Sequence, residues 1–122
     1  MPVRSLTSSV LKWPDAQTVD RAVREWAERT ARQRPEVFRI GYFGSYARGD
    51  WGVGSDLDLV AIVRQATHPP GRRAAEWDLT GLPVAAELLV YTEAEWRALR
   101  AAGTRFARTL AREVMWLVGP GV

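Results

Sequence analysis

Apolar residues recur with a helical period near the beginning of the chain. Between Pro14 and Pro35 they follow the i, i+3, i+4, i+7, i+8 spacing of a helix that buries one face. This stripe comprises Val19, Ala22, Val23, Trp26 and Ala27. Asp15 places negative charge near the predicted start, and Pro35 cannot continue a helix. The pattern therefore predicts an amphipathic helix in this segment, preceded by an irregular lead-in over residues 1–13.

Short apolar runs later in the chain predict strands. They cover residues 37–43, 56–64, 84–91 and 115–118. Their length and their content of valine, isoleucine and aromatic residues favour strands over helices. The run at 56–64 differs from the others because its first half alternates acid and leucine, so it is expected to have one polar face where it begins.

The segments between these runs predict helices and turns. Gly44 opens a turn into a short helix, and residues 65–83 read as a loop with a short helix or turn. Thr92 with Glu95 three residues later has the pattern of a capping box, and Gly103 separates two further helices. The predicted order is α-β-α-β-β-α-α-β. We therefore expect one domain over residues 1–122, an α/β (α+β) fold with a small mixed sheet flanked by helices.

Composition excludes several classes of chemistry. The chain has 122 residues and no cysteine, which excludes disulfides, thiol catalysis and cysteine-bound zinc. His68 is the single histidine, so no mechanism can rest on two, and its loop position assigns it no role. No apolar run is long enough to span a membrane and no signal peptide is evident, so a cytoplasmic protein is expected.

The charged residues give only a weak indication of partners. The net charge is +3, and the 17 basic residues are all arginine apart from Lys12. They are spread along the chain and interleaved with acids, so there is no strong nucleic-acid signal. Such a balance permits an anionic substrate without requiring one.

Two acids at the start of the second strand are candidate metal ligands. Asp56 and Asp58 are separated by one residue, so in a strand both side chains leave the same face. Paired carboxylates of this kind suit Mg²⁺, which prefers oxygen ligands and shares substrate phosphates. Taken alone, the pair reads equally as two solvated acids at a strand end.

A candidate phosphate-binding turn precedes these acids. Gly44 and Ser45 follow a predicted strand and open a helix, where free backbone N–H groups and a hydroxyl can hold a phosphate. Arg48, one turn further, can neutralise phosphate charge. Alone, the turn reads as a glycine with a serine cap; followed by Asp56 and Asp58 it outlines a metal–nucleotide site. A side chain in place of Gly44 is expected to block binding and to spare the fold.

The tryptophans divide into core and loop positions. The chain has six, of which Trp26, Trp96 and Trp116 fit apolar faces of predicted elements. Trp51 lies in the loop between the two halves of the motif. There it can either stack on a base or cover the underside of the loop.

The segment 41–63, GYFGSYARGDWGVGSDLDLVAIV, resembles a known family. Gly44-Ser45, ten residues, then Asp56-Leu57-Asp58 is similar to the signature of the minimal nucleotidyltransferases of the DNA polymerase β-type superfamily. The resemblance extends more loosely to the end of the chain.

This resemblance implies a third carboxylate on the neighbouring strand, and Glu87 is its best match. An acid inside an otherwise apolar strand is costly unless it is paired or binds metal, although it also reads as an edge-strand residue facing water. By resemblance Asp56, Asp58 and Glu87 hold two Mg²⁺ and carry catalysis, and Gly44, Ser45 and Arg48 bind the phosphates of ATP or another nucleoside triphosphate. Many relatives have aspartate at the Glu87 position.

The resemblance also implies a partner. Minimal nucleotidyltransferases pair with small helical HEPN proteins, and in such pairs the nucleotidyltransferase is the antitoxin, transferring AMP to a tyrosine of the toxin. A chain of this size, mostly catalytic core, is expected to need an acceptor surface from such a partner or from a second copy in a homo-oligomer. Two alternatives remain open: an enzyme that modifies a small hydroxylated molecule, and a non-catalytic module that neutralises its partner by contact.

Overall fold

The order of helices and strands agrees with the sequence-based prediction. The computed structural model describes residues 13–121, so the predicted lead-in lies, except for Trp13, outside the described residues. The elements are α1 (Ala16–Gln33), β1 (Val37–Phe43), α2 (Ser45–Arg48), β2 (Leu57–Val63), α3 (Pro70–Arg73) with a 3₁₀ turn (Ala74–Glu76), β3 (Ala86–Thr92), α4 (Glu93–Ala102), α5 (Arg105–Glu113) and β4 (Met115–Val118). None of the described helices is long and apolar enough to cross a bilayer.

Helix α1 forms where the periodic pattern predicted it. The Asp15 carboxylate accepts a hydrogen bond of 2.7 Å from the backbone N–H of Thr18, which satisfies one of the free donors of the first turn. The apolar stripe packs onto the sheet, with Trp26 only 1% exposed and its indole N–H donating to the carbonyl of Asp78 at 2.7 Å. The indole N–H thus keeps a hydrogen-bond partner although the ring is buried.

The four strands form one mixed sheet in the order β3-β2-β1-β4. Strand β1 is antiparallel to both β2 and β4, whereas β2 and β3 are parallel. With these directions, the end of β1 and the starts of β2, β3 and β4 all lie at the same end of the sheet. The α/β (α+β) prediction of a small mixed sheet flanked by helices is confirmed.

Strand boundaries follow the apolar runs closely. β1 and β4 have the predicted bounds, and β2 is one residue shorter at each end than the run 56–64. β3 begins two residues later than predicted. Thr92 and Glu95 form the predicted capping box, in which the Thr92 hydroxyl accepts from the Glu95 N–H at 3.1 Å and the Glu95 carboxylate accepts from the Thr92 N–H at 2.8 Å.

Apolar side chains pack on both faces of the sheet. On one face α1 covers a cluster that includes Ile40, Leu57 and Leu59; on the other, Val60 and Ile62 meet Trp96 and Leu110 of the last two helices. Successive residues of β2 therefore enter opposite cores, and from Leu59 onward none is more than 2% exposed. A strand so buried holds its first residues, which carry the acids, in a fixed place.

A buried arginine ties α3 to the start of α4. Arg73 is 7% exposed and donates to the carbonyls of His68 and Val90 at 2.6 and 3.0 Å. It also contacts both oxygens of Glu95, at 2.6 and 3.1 Å. These bonds from Arg73, with the backbone N–H of Thr92, lower the pKa of the Glu95 carboxyl to about 2.

Replacing Glu95 with glutamine is expected to lower the free energy of unfolding at pH 7 by about 1 kcal/mol, a modest value because the Glu95 side chain is 37% exposed. A lowered folded pKa stabilises the protein above the unfolded value of about 4.3, and this contribution is lost as the pH falls toward about 2. Urea unfolding at several pH values should show the two proteins converging over that range. Glu93→Gln, two residues earlier, is the control, and a pH-independent difference would contradict the prediction.

Candidate active site

The residues singled out in the sequence lie together at the end of the sheet where β1 ends. Phe43, the last residue of β1, is paired with Asp58, so the turn at Gly44 lies directly beside the acidic start of β2. Asp58 in turn lies beside Glu87 in the parallel register with β3. Side chains at such paired positions leave the same face of a sheet. Gly44, Asp58 and Glu87, which are 14 to 43 positions apart in sequence, are thereby brought to one place.

Gly44 makes a close approach that only glycine permits. Its φ of +77° is a conformation that residues with a side chain rarely adopt. A Cβ atom added there would lie 2.3 Å from Oδ2 of Asp58. The backbone of the turn therefore lies directly against the Asp58 carboxylate, and any phosphate held by the turn would be adjacent to its oxygens.

A cavity of about 390 Å³ opens at this place. The turn and the two predicted acids line one side, through Gly44, Ser45, Arg48, Asp56 and Asp58. The structure thus brings together five of the six predicted site residues. Helix α5 forms the opposite wall with Phe106, Thr109, Leu110 and Glu113.

A larger cavity, of about 450 Å³, lies at the other end of β2, and its charged groups are already paired within the protein. Arg34 contacts Glu36 at 3.1 Å, and His68 contacts Glu76 at 2.7 Å. With no free charge directed into it, this cavity offers less chemistry than the smaller one, despite its volume. His68, to which the sequence assigned no role, belongs here and not to the candidate active site.

Negative charge accumulates at Asp58. Burial raises the pKa of its carboxyl above the ordinary value, and the charges of Glu87 and Asp56 raise it further; Arg48 has the opposite effect. The first acid, Asp56, is exposed, whereas Asp58 is half-buried. Ionisation of Asp58 is therefore unfavourable, and a nearby cation would remove this penalty.

The chemistry of these donors fits a divalent cation. All candidate ligands are carboxylate oxygens, which suit Mg²⁺, and Asp58 carries the uncompensated charge that such an ion neutralises. Within residues 13–121, no group of three or more acidic, histidine or cysteine side chains is arranged to hold a metal ion as it stands. Binding would therefore need side-chain rotation, which the exposed Asp56 and Glu87 can make.

The structure decides between the two environments that the sequence allowed for Glu87. Glu87 is exposed because β3 is an edge strand, so it is not an acid buried among apolar residues. Glu87 also does not line the cavity. What links it to the site is its place beside Asp58 and its effect on the pKa of that carboxyl. Its role as third ligand remains a prediction.

Two acids that the sequence did not single out hold Arg48. Asp50 accepts from Nε of Arg48 at 3.0 Å, and Glu113 accepts from Nη1 at 3.1 and 3.2 Å. Glu113 also accepts a 3.3 Å hydrogen bond from the backbone N–H of Gly44. Glu113 was missed because it is 69 residues away in sequence from Gly44, and it is brought close by the pairing of β4 with β1.

Trp51 packs within the protein. Its ring stacks on Tyr46 with centroids 5.5 Å apart and planes 9° from parallel. Tyr46 itself is buried and accepts a hydrogen bond from the indole of Trp13 at 3.1 Å. Of the two interpretations of Trp51, the one in which it covers the loop therefore agrees with the structure.

Solved structures share this fold at low sequence identity. A protein assigned as a nucleotidyltransferase from Sulfolobus solfataricus superimposes with a TM-score of 0.58 and 17% identity, over 83% of this chain and 80% of that one. A structure described as a toxin–antitoxin with AMP-PNP gives 0.52 and 19%, over 80% and 74%. No curated protein matches in sequence. At these identities the likeness concerns the fold.

The sequence itself matches a family over most of its length. Residues 23–102 match the nucleotidyltransferase domain, a family that uses a nucleoside triphosphate with a divalent metal ion. The matched segment includes the turn at Gly44 and the acids Asp56, Asp58 and Glu87, and it ends before Glu113. The chain therefore belongs to the nucleotidyltransferase domain family, and its reaction is the transfer of a nucleotidyl group.

Proposed function

We propose that this chain transfers AMP from ATP to a hydroxyl group of a small helical HEPN-type partner protein, as the antitoxin of a toxin–antitoxin pair. The observation that carries the proposal is the contact between a phosphate-binding turn and a metal-binding carboxylate, Gly44 and Asp58, across one cavity. Nucleotidyl transfer needs triphosphate and metal side by side, since positioning and charge neutralisation supply most of the catalysis.

Five residues that line the cavity, together with Glu87 beside it, have roles in this proposal. The N–H groups of the turn and the Ser45 hydroxyl bind the β and γ phosphates, with Arg48 in support. Asp56 and Asp58 hold two Mg²⁺, and Glu87 completes the ligand set. When bound, the ions neutralise the phosphate charge and lower the pKa of a bound hydroxyl.

The proposed reaction needs no reactant other than ATP and the acceptor. The acceptor oxygen forms a bond to the α phosphorus of ATP, the bond from that phosphorus to the bridging oxygen breaks, and pyrophosphate leaves with the electron pair. The proton of the acceptor hydroxyl passes to a carboxylate, for which Glu87 is the candidate because it is exposed and lies beside Asp58.

Two observations favour a protein as the acceptor. The toxin–antitoxin structure bound to AMP-PNP has this fold, and its ligand is an analogue of ATP. The resemblance of segment 41–63 to minimal nucleotidyltransferases points the same way. We therefore propose a hydroxyl group of a protein as the acceptor, in preference to that of a small molecule.

Intact-protein mass spectrometry tests the proposal. The chain is incubated with Mg²⁺, ATP and a candidate partner, a small helical HEPN-type protein, and the partner is expected to gain mass in steps of one AMP. Modification of a small hydroxylated compound with no change in the partner would favour the alternative enzyme. Equal neutralisation of a toxic partner by wild type and by a variant without Asp56 and Asp58 would favour the non-catalytic module.

Replacing Glu87 with glutamine separates its two interpretations. If Glu87 binds metal or takes the acceptor proton, turnover should fall by about 100-fold or more, because a group that acts in the transition state is lost. The thermal midpoint should stay unchanged or rise slightly, since Glu87 is exposed and its charge opposes that of Asp58. Glu76→Gln, on the far side of the protein, is the control. Turnover within error of wild type would remove Glu87 from the ligand set.

A further inference from the structure

Both donors of the candidate phosphate turn are directed at one carboxylate of the protein itself. The backbone N–H of Gly44 donates to Oε2 of Glu113 at 3.3 Å, and Nη1 of Arg48 contacts both oxygens of Glu113 at 3.1 and 3.2 Å. A carboxylate bridging a backbone N–H and a guanidinium has the same arrangement as a phosphate bound at such a turn. Glu113 thus lies where a phosphate oxygen would be expected.

Glu113 is poorly placed for any purpose other than this contact. It is the last residue of α5, at the helix end whose partial charge is negative, so a carboxylate is disfavoured there. Its side chain is only 11% exposed, and it adds to the negative charge around Asp58. Burial of a charge in such surroundings depends on its partners, and in the described residues these are Gly44 and Arg48.

The backbone N–H of Gly44 cannot serve Glu113 and a phosphate together. Gly44 has a single N–H, and a hydrogen bond to Glu113 occupies it. Arg48 is already balanced by Glu113 and by Asp50, at 3.0 Å on the other side, so this trio carries a net negative charge. A triphosphate that approaches the turn therefore meets repulsion until Glu113 leaves.

We propose that Glu113 is a displaceable internal anion, which occupies the phosphate-binding turn in the absence of nucleotide and is displaced by the phosphates of the substrate. The inference rests on the proposed function in assigning the turn to phosphate. Glu113 thereby lowers the affinity for nucleotide and product pyrophosphate, which favours release of pyrophosphate. Because Glu113 lies two residues before β4, displacement also couples the filled site to the junction between α5 and β4.

The test follows binding of inorganic pyrophosphate with Mg²⁺, through the backbone amide signal of Gly44 in nuclear magnetic resonance spectra. Glu113→Gln keeps the size of the side chain and removes its charge, so pyrophosphate is expected to bind at least about fivefold more tightly than to wild type, the lower end of typical coupling between two sites. Glu25→Gln, on the exposed face of α1, makes the same change in net charge and should bind as wild type does. The Gly44 signal should also shift in Glu113→Gln before any ligand is added.

Equal or weaker binding by Glu113→Gln would overturn the inference and would mean that Glu113 instead holds Arg48 in place for the substrate. Absence of pyrophosphate binding in both proteins would overturn it as well. Glu113→Ala is the second variant, and tighter binding in both variants supports displacement even if one of them is less stable. Tighter binding without any nucleotidyl transfer would leave the inference standing and would refute the proposed acceptor reaction.

Discussion

Replacing Asp56 and Asp58 together with alanine is expected to abolish Mg²⁺-dependent binding of ATP and to reduce nucleotidyl transfer by about 10³-fold or more. The two carboxylates line the cavity beside the turn, at and just before the start of β2, and β2 contains no acid other than Asp58. Without them, the charge of the triphosphate faces the site with no metal to neutralise it. Calorimetric titration with a non-hydrolysable ATP analogue, with and without Mg²⁺, measures the loss.

The same variant should remain folded. Burial and the neighbouring acids raise the pKa of Asp58, so its ionised form opposes folding at neutral pH when no metal is bound. The metal-free thermal midpoint is therefore expected not to fall. Glu25→Ala with Glu28→Ala removes two acids from the exposed face of α1 and serves as the control for net charge. Metal-dependent binding of equal strength in wild type and in the Asp56, Asp58 variant would refute the assignment of the metal site.

Replacing Gly44 with alanine is expected to reduce transfer by about 100-fold or more and to destabilise the protein by about 1–3 kcal/mol. The new Cβ atom would lie 2.3 Å from Oδ2 of Asp58. The alanine would also have to adopt a φ of +77°. Either the turn or the carboxylate must move, and both belong to the site. The sequence-based expectation that a side chain at Gly44 would spare the fold therefore does not follow from the structure.

Gly103 provides a matched control for this substitution. It also has a positive φ, +64°, but a Cβ atom there would meet no atom within 4 Å. Gly103→Ala should cost about 1 kcal/mol in stability through backbone strain alone and leave turnover unchanged. Steady-state transfer rates and urea unfolding of the two variants separate strain from the contact with Asp58. Equal turnover in the two variants would show that the turn at Gly44 is only structural.

The fold was largely predictable because each element has its own local pattern. The spacing of Val19, Val23 and Trp26 predicts α1, and the apolar runs predict all four strands to within two residues. The close agreement reflects short-range physics: periodic burial, caps such as Thr92, and prolines that end helices.

The site was predictable only where its residues are close in sequence. The turn at Gly44 follows β1, and the acids Asp56 and Asp58 lie at or just before the start of β2, so their proximity follows from the single pairing of these two consecutive strands. Glu113 and the exposed position of Glu87 depend on the order of all four strands, which no local pattern specifies. The pairing of Arg48 with Glu113 and Asp50 is likewise a contact of the folded chain.

The position of the label transferred from ATP tests the central claim most directly. The chain is incubated with Mg²⁺, the candidate HEPN-type partner protein, and ATP labelled on either the α or the γ phosphate. Nucleotidyl transfer predicts that α label becomes covalently attached to the partner, that γ label is released in pyrophosphate, and that the Asp56, Asp58 double variant attaches neither. Attachment of the γ label, or α labelling that persists in the double variant, would contradict the account.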